Sequence, residues 1–350
     1  MVRLIKGNEA AVIGALYGGC DAFFGYPITP ASEVAHAASE WFPAVGRVFL
    51  QAECETASIN MVYGAAAGGK LAMTATSGPG MSLMQEGLSY MAGAELPGVI
   101  VNIQRAGPGL GNVYPEQADY NQAVKGGGHG SYHALVLAPG SVQEMCDCTR
   151  HAFELAFRHR TPVIVLADAV LGQMMEPLQM PPRELPPPEG VAAWAVQGNA
   201  ATRGNLITSI YLDVRELERR NVVLQAKYAA LQNEAAAETY LADDAAVLFL
   251  AYGISSRIAR SAVDELRGAG VAAGLFRPLT LYPFPAEALA RLAPGRRLVA
   301  VELSCGQFRD DVVFQLATRL GTVPPVQLVN RMGGVLVTVD ELVAAARRQP

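Results

Sequence analysis

The stretch Lys70-Leu-Ala-Met-Thr-Ala-Thr-Ser-Gly-Pro-Gly80 decides how the first half of this chain is read. Residues 70–76 read as a short strand, uncharged and mostly apolar after Lys70, the pattern of a strand buried on both faces. Ser77-Gly-Pro-Gly80 stops the strand, and residues 81–94 read as a helix. The same strand–break–helix unit recurs on either side. Residues 21–26, 48–50, 98–104, 135–138 and 162–167 read as strands, and 7–18, 53–68 and 142–158 as helices. Repeated units of this kind predict an α/β fold with a parallel sheet covered by helices on both faces.

The pattern then changes. Residues 176–190 (EPLQMPPRELPPPEG) hold six prolines and predict a tether with almost no regular structure. Residues 213–238 read as one long helix. Val214, Leu217, Asn221, Leu224, Tyr228 and Leu231 lie at helical spacing, a stripe that fits an intramolecular brace better than a subunit contact. A second α/β unit follows, with strands at 247–252, 271–276, 298–302 and 326–329 and a helix at 255–268. The expected organisation is two doubly wound parallel-sheet domains, residues 1–180 and 244–350, joined by a proline-rich linker and long helix over 181–243.

At 350 residues the chain is long enough for two full cores. Apolar residues make up 51% and charged residues 17%, a balance that suits much buried sheet. The net charge of -5 provides no basic footprint for nucleic acid. No apolar run reaches membrane-spanning length without interruption, and the first residues lack the apolar region of a signal peptide, so the sequence reads as cytoplasmic. The five cysteines, Cys20, Cys54, Cys146, Cys148 and Cys305, are odd in number and scattered, which argues against a disulfide framework. Cys146 and Cys148 point apart on a helix and read as buried bystanders. Four-cysteine iron–sulfur spacing is absent from the sequence, so any electron-carrying cluster is expected on another chain.

Three places carry chemistry. In Tyr26-Pro-Ile-Thr-Pro30 two prolines bracket Thr29 and hold it in a stiff turn. Glu55 stands at the mouth of an Ala- and Gly-rich helix. A carboxylate there either complements the helix dipole or, partly buried, shares a proton with a ring nitrogen. Arg105 ends an apolar strand, where ligands bind in parallel sheets, and a guanidinium suits a carboxylate there bidentately. The glycine runs Gly107-Pro-Gly-Leu-Gly111 and Gly126-Gly-Gly-His-Gly130 lack the dinucleotide-loop context and read as active-site or connecting loops.

Taken in order, Tyr26-Pro-Ile-Thr-Pro30, Glu55, Thr74-Ala-Thr-Ser-Gly-Pro-Gly80, Gln104-Arg105, Glu116-Gln-Ala-Asp119 and Gly127-Gly-His-Gly130 form a recognisable set. In the second half Arg277-Pro-Leu-Thr-Leu-Tyr-Pro-Phe-Pro285, Glu302 with Cys305-Gly-Gln307, and Arg331-Met-Gly-Gly334 extend it. Across nearly its whole length the chain resembles the alpha subunit of the 2-oxoacid:ferredoxin oxidoreductases, in particular the branched-chain and 2-oxoglutarate group.

The resemblance implies a thiamine diphosphate enzyme split over several chains. The alpha chain would supply the pyrimidine-binding domain and a transketolase C-terminal-like domain. A beta subunit would hold the diphosphate and Mg²⁺, and gamma and ferredoxin-like subunits the iron–sulfur clusters. The implied reaction is oxidative decarboxylation of a 2-oxoacid with CoA to acyl-CoA and CO₂, with electrons passing to ferredoxin or NAD. Glu55 matches the family glutamate that hydrogen-bonds N1′ of the aminopyrimidine, and Ser77 belongs with the cofactor. Thr29 matches the threonine that reaches the substrate, and Arg105 the arginine facing its carboxylate. His129 lies in the family's Gly-Gly-His-Gly loop and is a third candidate for the substrate. No second base for a distal carboxylate stands out, which favours branched-chain or aromatic 2-oxoacids over 2-oxoglutarate. The alternative is a non-catalytic, partner-binding relative that kept the fold; Glu55, Thr29 and Arg105 occurring together speak against it.

Overall fold

The computed structural model describes residues 2–183, 191–322 and 325–348. Its strands are β1 (Val2–Lys6), β2 (Ala22–Gly25), β3 (Val48–Gln51), β4 (Ala72–Thr76), β5 (Gly98–Gln104), β6 (Leu135–Leu137) and β7 (Pro162–Asp168). They continue as β8 (Met175–Gln179), β9 (Ala237–Tyr240), β10 (Val247–Leu250), β11 (Ala273–Pro278), β12 (Thr280–Tyr282), β13 (Arg297–Glu302) and β14 (Val326–Asn330). One sheet runs β12-β6-β7-β5-β4-β2-β3 and is parallel except for β12. A second runs β14-β13-β10-β11-β9 and is parallel except for β9. The α/β, parallel-sheet architecture expected from the sequence is therefore present. Its central strands β4, β5 and β7 are buried at every residue, as a sheet covered on both faces requires.

Helix packing around the larger sheet is close. The helix Gly7–Tyr17 lies against Val142–His159 so tightly that a Cβ on Gly14 would come within 2.2 Å of the Cys146 carbonyl. Cys146 is fully buried there, and burial pushes its thiol up to about 12, the inert character expected of a packing cysteine. No helix among the described residues is long and apolar enough to cross a membrane.

Three readings need correction. Residues 176–190 are not structureless throughout, because β8 occupies Met175–Gln179 and pairs antiparallel with β1. Pro177 is tolerated because this ribbon has only two strands, leaving the side without an N–H unpaired. Residues 184–190 lie outside the described residues. The long helix is shorter than expected, Val214–Ala230, and gives way to a 3₁₀ turn and then β9. Its lower half is a brace: Leu224, Tyr228 and Leu231 are buried, Lys227 pairs with Glu95 at 3.1 Å, and the Tyr228 ring meets His133 edge-on. Its upper half leaves Val214 and Leu217 exposed. Finally, the helix after β4 begins at Gly78, not residue 81, with Pro79 in its first turn, where a missing N–H costs nothing.

The two sheets are stitched together. Strand β12, from the second half, adds to the first sheet beside β6. Gln117 bonds to Tyr252, Ser255 and Leu303 through its side chain. Arg277 joins Glu144 to Glu238. These contacts set the ends of β4 and β5 against loops from the second half, and the site lies there.

Candidate active site

The Tyr26–Pro30 turn is anchored from below. Asn8 Nδ2 and Gln173 Nε2 both donate to the Pro30 carbonyl, at 2.8 and 3.2 Å. The Thr29 side chain stays exposed, while its carbonyl accepts Arg105 Nη1 at 2.9 Å. Arg105 Nη2 donates to Leu110 O at 3.1 Å, and its Nε is buried without a partner. The guanidinium is thus held by neutral carbonyls and makes no ion pair among the described residues. A cation fixed in this way keeps its charge available for an anion.

Glu55 is the first residue of the helix Glu55–Ala67, whose N-cap Cys54 accepts from Ala57 N through Sγ. It is 6% exposed and accepts no hydrogen bond from a described residue. Its carboxylate lies against Gly80, where a Cβ would sit 2.6 Å from Glu55 Oε1 and 2.2 Å from Thr76 Oγ1. The hydroxyls of Thr74, Thr76 and Ser77 are also buried and unpartnered. Buried polar groups in a folded protein are nearly always bonded, so orphans concentrated along one stretch mark a place built for a polar ligand. A carboxyl group, neighbouring hydroxyls and a glycine that leaves room for both fit an aminopyrimidine ring.

On the other side of the same helix turn is a cavity of 680 Å³. Gly78 and Pro79 form one wall, Arg105 and Pro108 a second, and Cys305 and Met332 from the second half a third. Glu116 closes it, accepting from Gly107 N at 2.7 Å and Gly333 N at 2.8 Å. Asp119 also lines it, and burial raises its carboxyl above the ordinary range although Asn102 and Gln122 donate to it. Gly78 and Gly80 therefore connect two half-sites, Arg105 and Asp119 flanking the first, Glu55 and Thr76 the second.

The structure brings Thr29 and Arg105 into contact and sets Ser77 as the N-cap between the half-sites, its hydroxyl making no cap bond. Glu55 is joined to the cavity through the helix turn and does not line it. His129 is not brought there: its side chain is exposed, and its carbonyl accepts from Ser89 Oγ on the helix Gly78–Gly93. Sequence reasoning missed Thr76, Gly80, Glu116 and Asp119 as individuals. All four lie inside quoted motifs, but only their neighbours in space reveal what each one touches.

Comparison with known proteins identifies the family. The family model for pyruvate flavodoxin/ferredoxin oxidoreductase, thiamine diphosphate-binding, matches residues 13–243. That for pyruvate:ferredoxin oxidoreductase core domain II matches residues 245–342. The chain is 58% identical over 347 residues to the ketoisovalerate oxidoreductase subunit VorB of Methanothermobacter marburgensis, covering 99% of this chain and 97% of that one. It is 44% identical over 315 residues to the 2-oxoglutarate synthase subunit KorA of Archaeoglobus fulgidus, covering 89% and 90%. Among solved structures, the 2-oxoglutarate:ferredoxin oxidoreductase of Magnetococcus marinus, with 2-oxoglutarate, coenzyme A and succinyl-CoA bound, superposes with a TM-score of 0.85 at 26% identity. The match covers 99% of this chain, which spans 65% of the length of that one. By sequence and by fold, the chain belongs to the 2-oxoacid:ferredoxin oxidoreductase family, as a subunit of the alpha type.

Proposed function

We propose that this chain is the alpha subunit of an assembly that oxidatively decarboxylates a branched-chain 2-oxoacid with CoA, giving the acyl-CoA and CO₂. The observation that carries the substrate assignment is Arg105, a guanidinium in the cavity wall without a carboxylate partner. It takes the 2-oxoacid carboxylate, and the Thr29 hydroxyl, on the turn tied to it, completes the contact. The rest of the lining supports an apolar side chain, since Pro79, Pro108 and Met332 contribute carbon surface. Arg105 is the single cation among the lining residues, and Glu116 and Asp119 are acidic. A second carboxylate would find no second cation among the described residues that line this cavity. The name of the VorB relative points the same way.

Thiamine diphosphate, when bound, supplies the electron sink that makes loss of CO₂ from a 2-oxoacid feasible. Glu55 would meet its pyrimidine N1′ and hold the proton there, with Ser77 beside it. A beta subunit would contribute the diphosphate site and Mg²⁺, and gamma and ferredoxin-like subunits the iron–sulfur clusters that carry electrons to ferredoxin or NAD, in the cytoplasm. The test is acyl-CoA formation by the assembled complex with 2-oxoisovalerate, phenylpyruvate and 2-oxoglutarate. A kcat/KM for 2-oxoglutarate equal to or above that for 2-oxoisovalerate would overturn the substrate assignment.

A further inference from the structure

We propose that Met332 is a specificity-determining residue: from the second half of the chain it faces the side chain of the 2-oxoacid and sets which side chains fit. The inference rests on the reading of Arg105 as the partner of the 2-oxoacid carboxylate.

The keto carbon of a 2-oxoacid carries a carboxylate, an oxygen and a side chain, which point three ways in one plane. The cavity offers three walls to receive them. Arg105 takes the carboxylate at one. The wall of Gly78 and Pro79 is the helix turn behind which Glu55 lies, so the reacting carbon and its oxygen turn that way. Cys305 and Met332 form the wall that remains, and the side chain points there. Met332 is the larger of the two and the more adaptable.

The backbone that carries Met332 is fixed against the loop that follows Arg105. Gly333 N and Gly107 N donate to the two oxygens of Glu116, at 2.8 and 2.7 Å. Asn112 Nδ2 donates to the Gly333 carbonyl at 3.0 Å. Gly334 approaches Tyr114 so closely that a Cβ would lie 2.5 Å from the Tyr114 Cβ, and its φ of 96° suits glycine alone. The wall and the guanidinium are thus bolted to one another through their main chains.

The side chain of Met332 is left free to adapt. The residue is 55% exposed, and an unbranched thioether fits apolar groups of several shapes. Its neighbour Arg331 brings no charge to this wall, because it is paired with Glu341 and lines a different cavity. Carbon and sulfur surface therefore stands where a distal carboxylate would arrive, which favours an apolar side chain there.

The experiment uses the assembled complex and measures kcat/KM for 2-oxoisovalerate, phenylpyruvate and 2-oxoglutarate. The values are read as ratios, so that a general loss of activity cancels. Met332→Ala deepens the wall, and phenylpyruvate should gain on 2-oxoisovalerate by about ten-fold, the scale of one or two methylenes in an apolar pocket. Met332→Lys supplies an ammonium, and 2-oxoglutarate should gain on 2-oxoisovalerate by about ten-fold or more. Val335→Ala, exposed on the same segment but outside the cavity lining, should keep the wild-type ratios. Either Met332 ratio unmoved or moved the other way overturns the inference, as does an equal shift in Val335→Ala. Failure of the underlying reading looks different: Arg105→Lys would then leave kcat/KM for all three substrates at wild-type values.

Discussion

Arg105 Nη1 donates to the main-chain carbonyl of Thr29 at 2.9 Å, across 76 positions of sequence. The two residues assigned to the substrate carboxylate are thus one mechanical unit, and the bond between them uses no side-chain atom of Thr29. That allows the hydroxyl to be tested separately. Thr29→Val keeps the carbonyl and removes one hydrogen bond to a charged group, so kcat/KM for the 2-oxoacid should fall by about 1.5–3 kcal/mol in transition-state terms. Arg105→Lys keeps the charge but loses the fork, including at least one of the two carbonyl contacts, and should cost as much or more. Because both act on one carboxylate, the double variant should lose less than the sum. Strict additivity in the assembled complex would separate their targets.

Glu55→Gln preserves shape at a buried position and removes the group that can hold a proton at the ring nitrogen. The complex should assemble normally, as judged by size-exclusion chromatography, while kcat falls by at least 100-fold, the lower range for a lost acid–base group. Turnover within ten-fold of wild type would assign the proton to another residue.

Thr29, Glu55 and Arg105 are legible in the sequence because motif and chemistry coincide in them. Glu55 opens a helix, Arg105 follows the end of β5, and Thr29 lies in a turn bracketed by two prolines. The strands buried on both faces, such as β4, β5 and β7, are equally plain from their apolar runs. Strands β1, β8, β9 and β12 are not, for they are short edge or antiparallel pieces and carry Lys6, Pro177, Glu238 or Thr280 where a central strand would be apolar. The Arg105–Thr29 bond is invisible at that level because a carbonyl oxygen has no letter in the sequence. Glu116 and Gln117 read as markers of a family, yet they act as bolts between the two halves.

Gly80→Ala sets two effects against each other. Alanine in a helix is favoured over glycine by up to about 1 kcal/mol, yet here its Cβ would fall 2.6 Å from Glu55 Oε1 and 2.2 Å from Thr76 Oγ1. The carboxylate must move. Melting temperature should change little, since the gain and the strain oppose, while kcat and thiamine diphosphate affinity both drop at least ten-fold. Wild-type kinetics in this variant would mean that Glu55 needs no fixed place.

Asp168 gives a pH dependence with a defined sign. Its Oδ1 accepts from Val170 N and Leu171 N and its Oδ2 from Ile254 N, tying the end of β7 to a helix of the second half. Burial lifts this carboxyl from 3.8 to about 6 in spite of those donors. The folded value lies above the unfolded one, so the contribution is fully present below 3.8 and is lost as pH rises through about 6. Across that window the loss is roughly 3 kcal/mol. Asp168→Asn cannot titrate, so the stability of wild type relative to this variant should decline between pH 4 and pH 7 in urea melts. A constant difference across that range would show that Asp168 keeps one protonation state.

Glu116 offers the last test, of the clamp that closes the cavity. Its two oxygens accept from Gly107 N and Gly333 N, one on the loop that follows Arg105 and one from the second half of the chain, and the residue is 3% exposed. Glu116→Gln keeps the volume but offers one oxygen and one amide N–H₂. Whichever way the amide turns, one backbone N–H then faces a donor, so a charge-assisted bond is lost and a buried donor is left unpaired. The cost should be about 1.5–3 kcal/mol of stability. The same loop carries Leu110, whose carbonyl holds Arg105 Nη2, so loosening it should raise KM for the 2-oxoacid more than it lowers kcat. A variant with unchanged KM but reduced stability would confine Glu116 to the seam between the halves. If both stayed at wild-type values, the two hydrogen bonds would be too weak to act as a clamp.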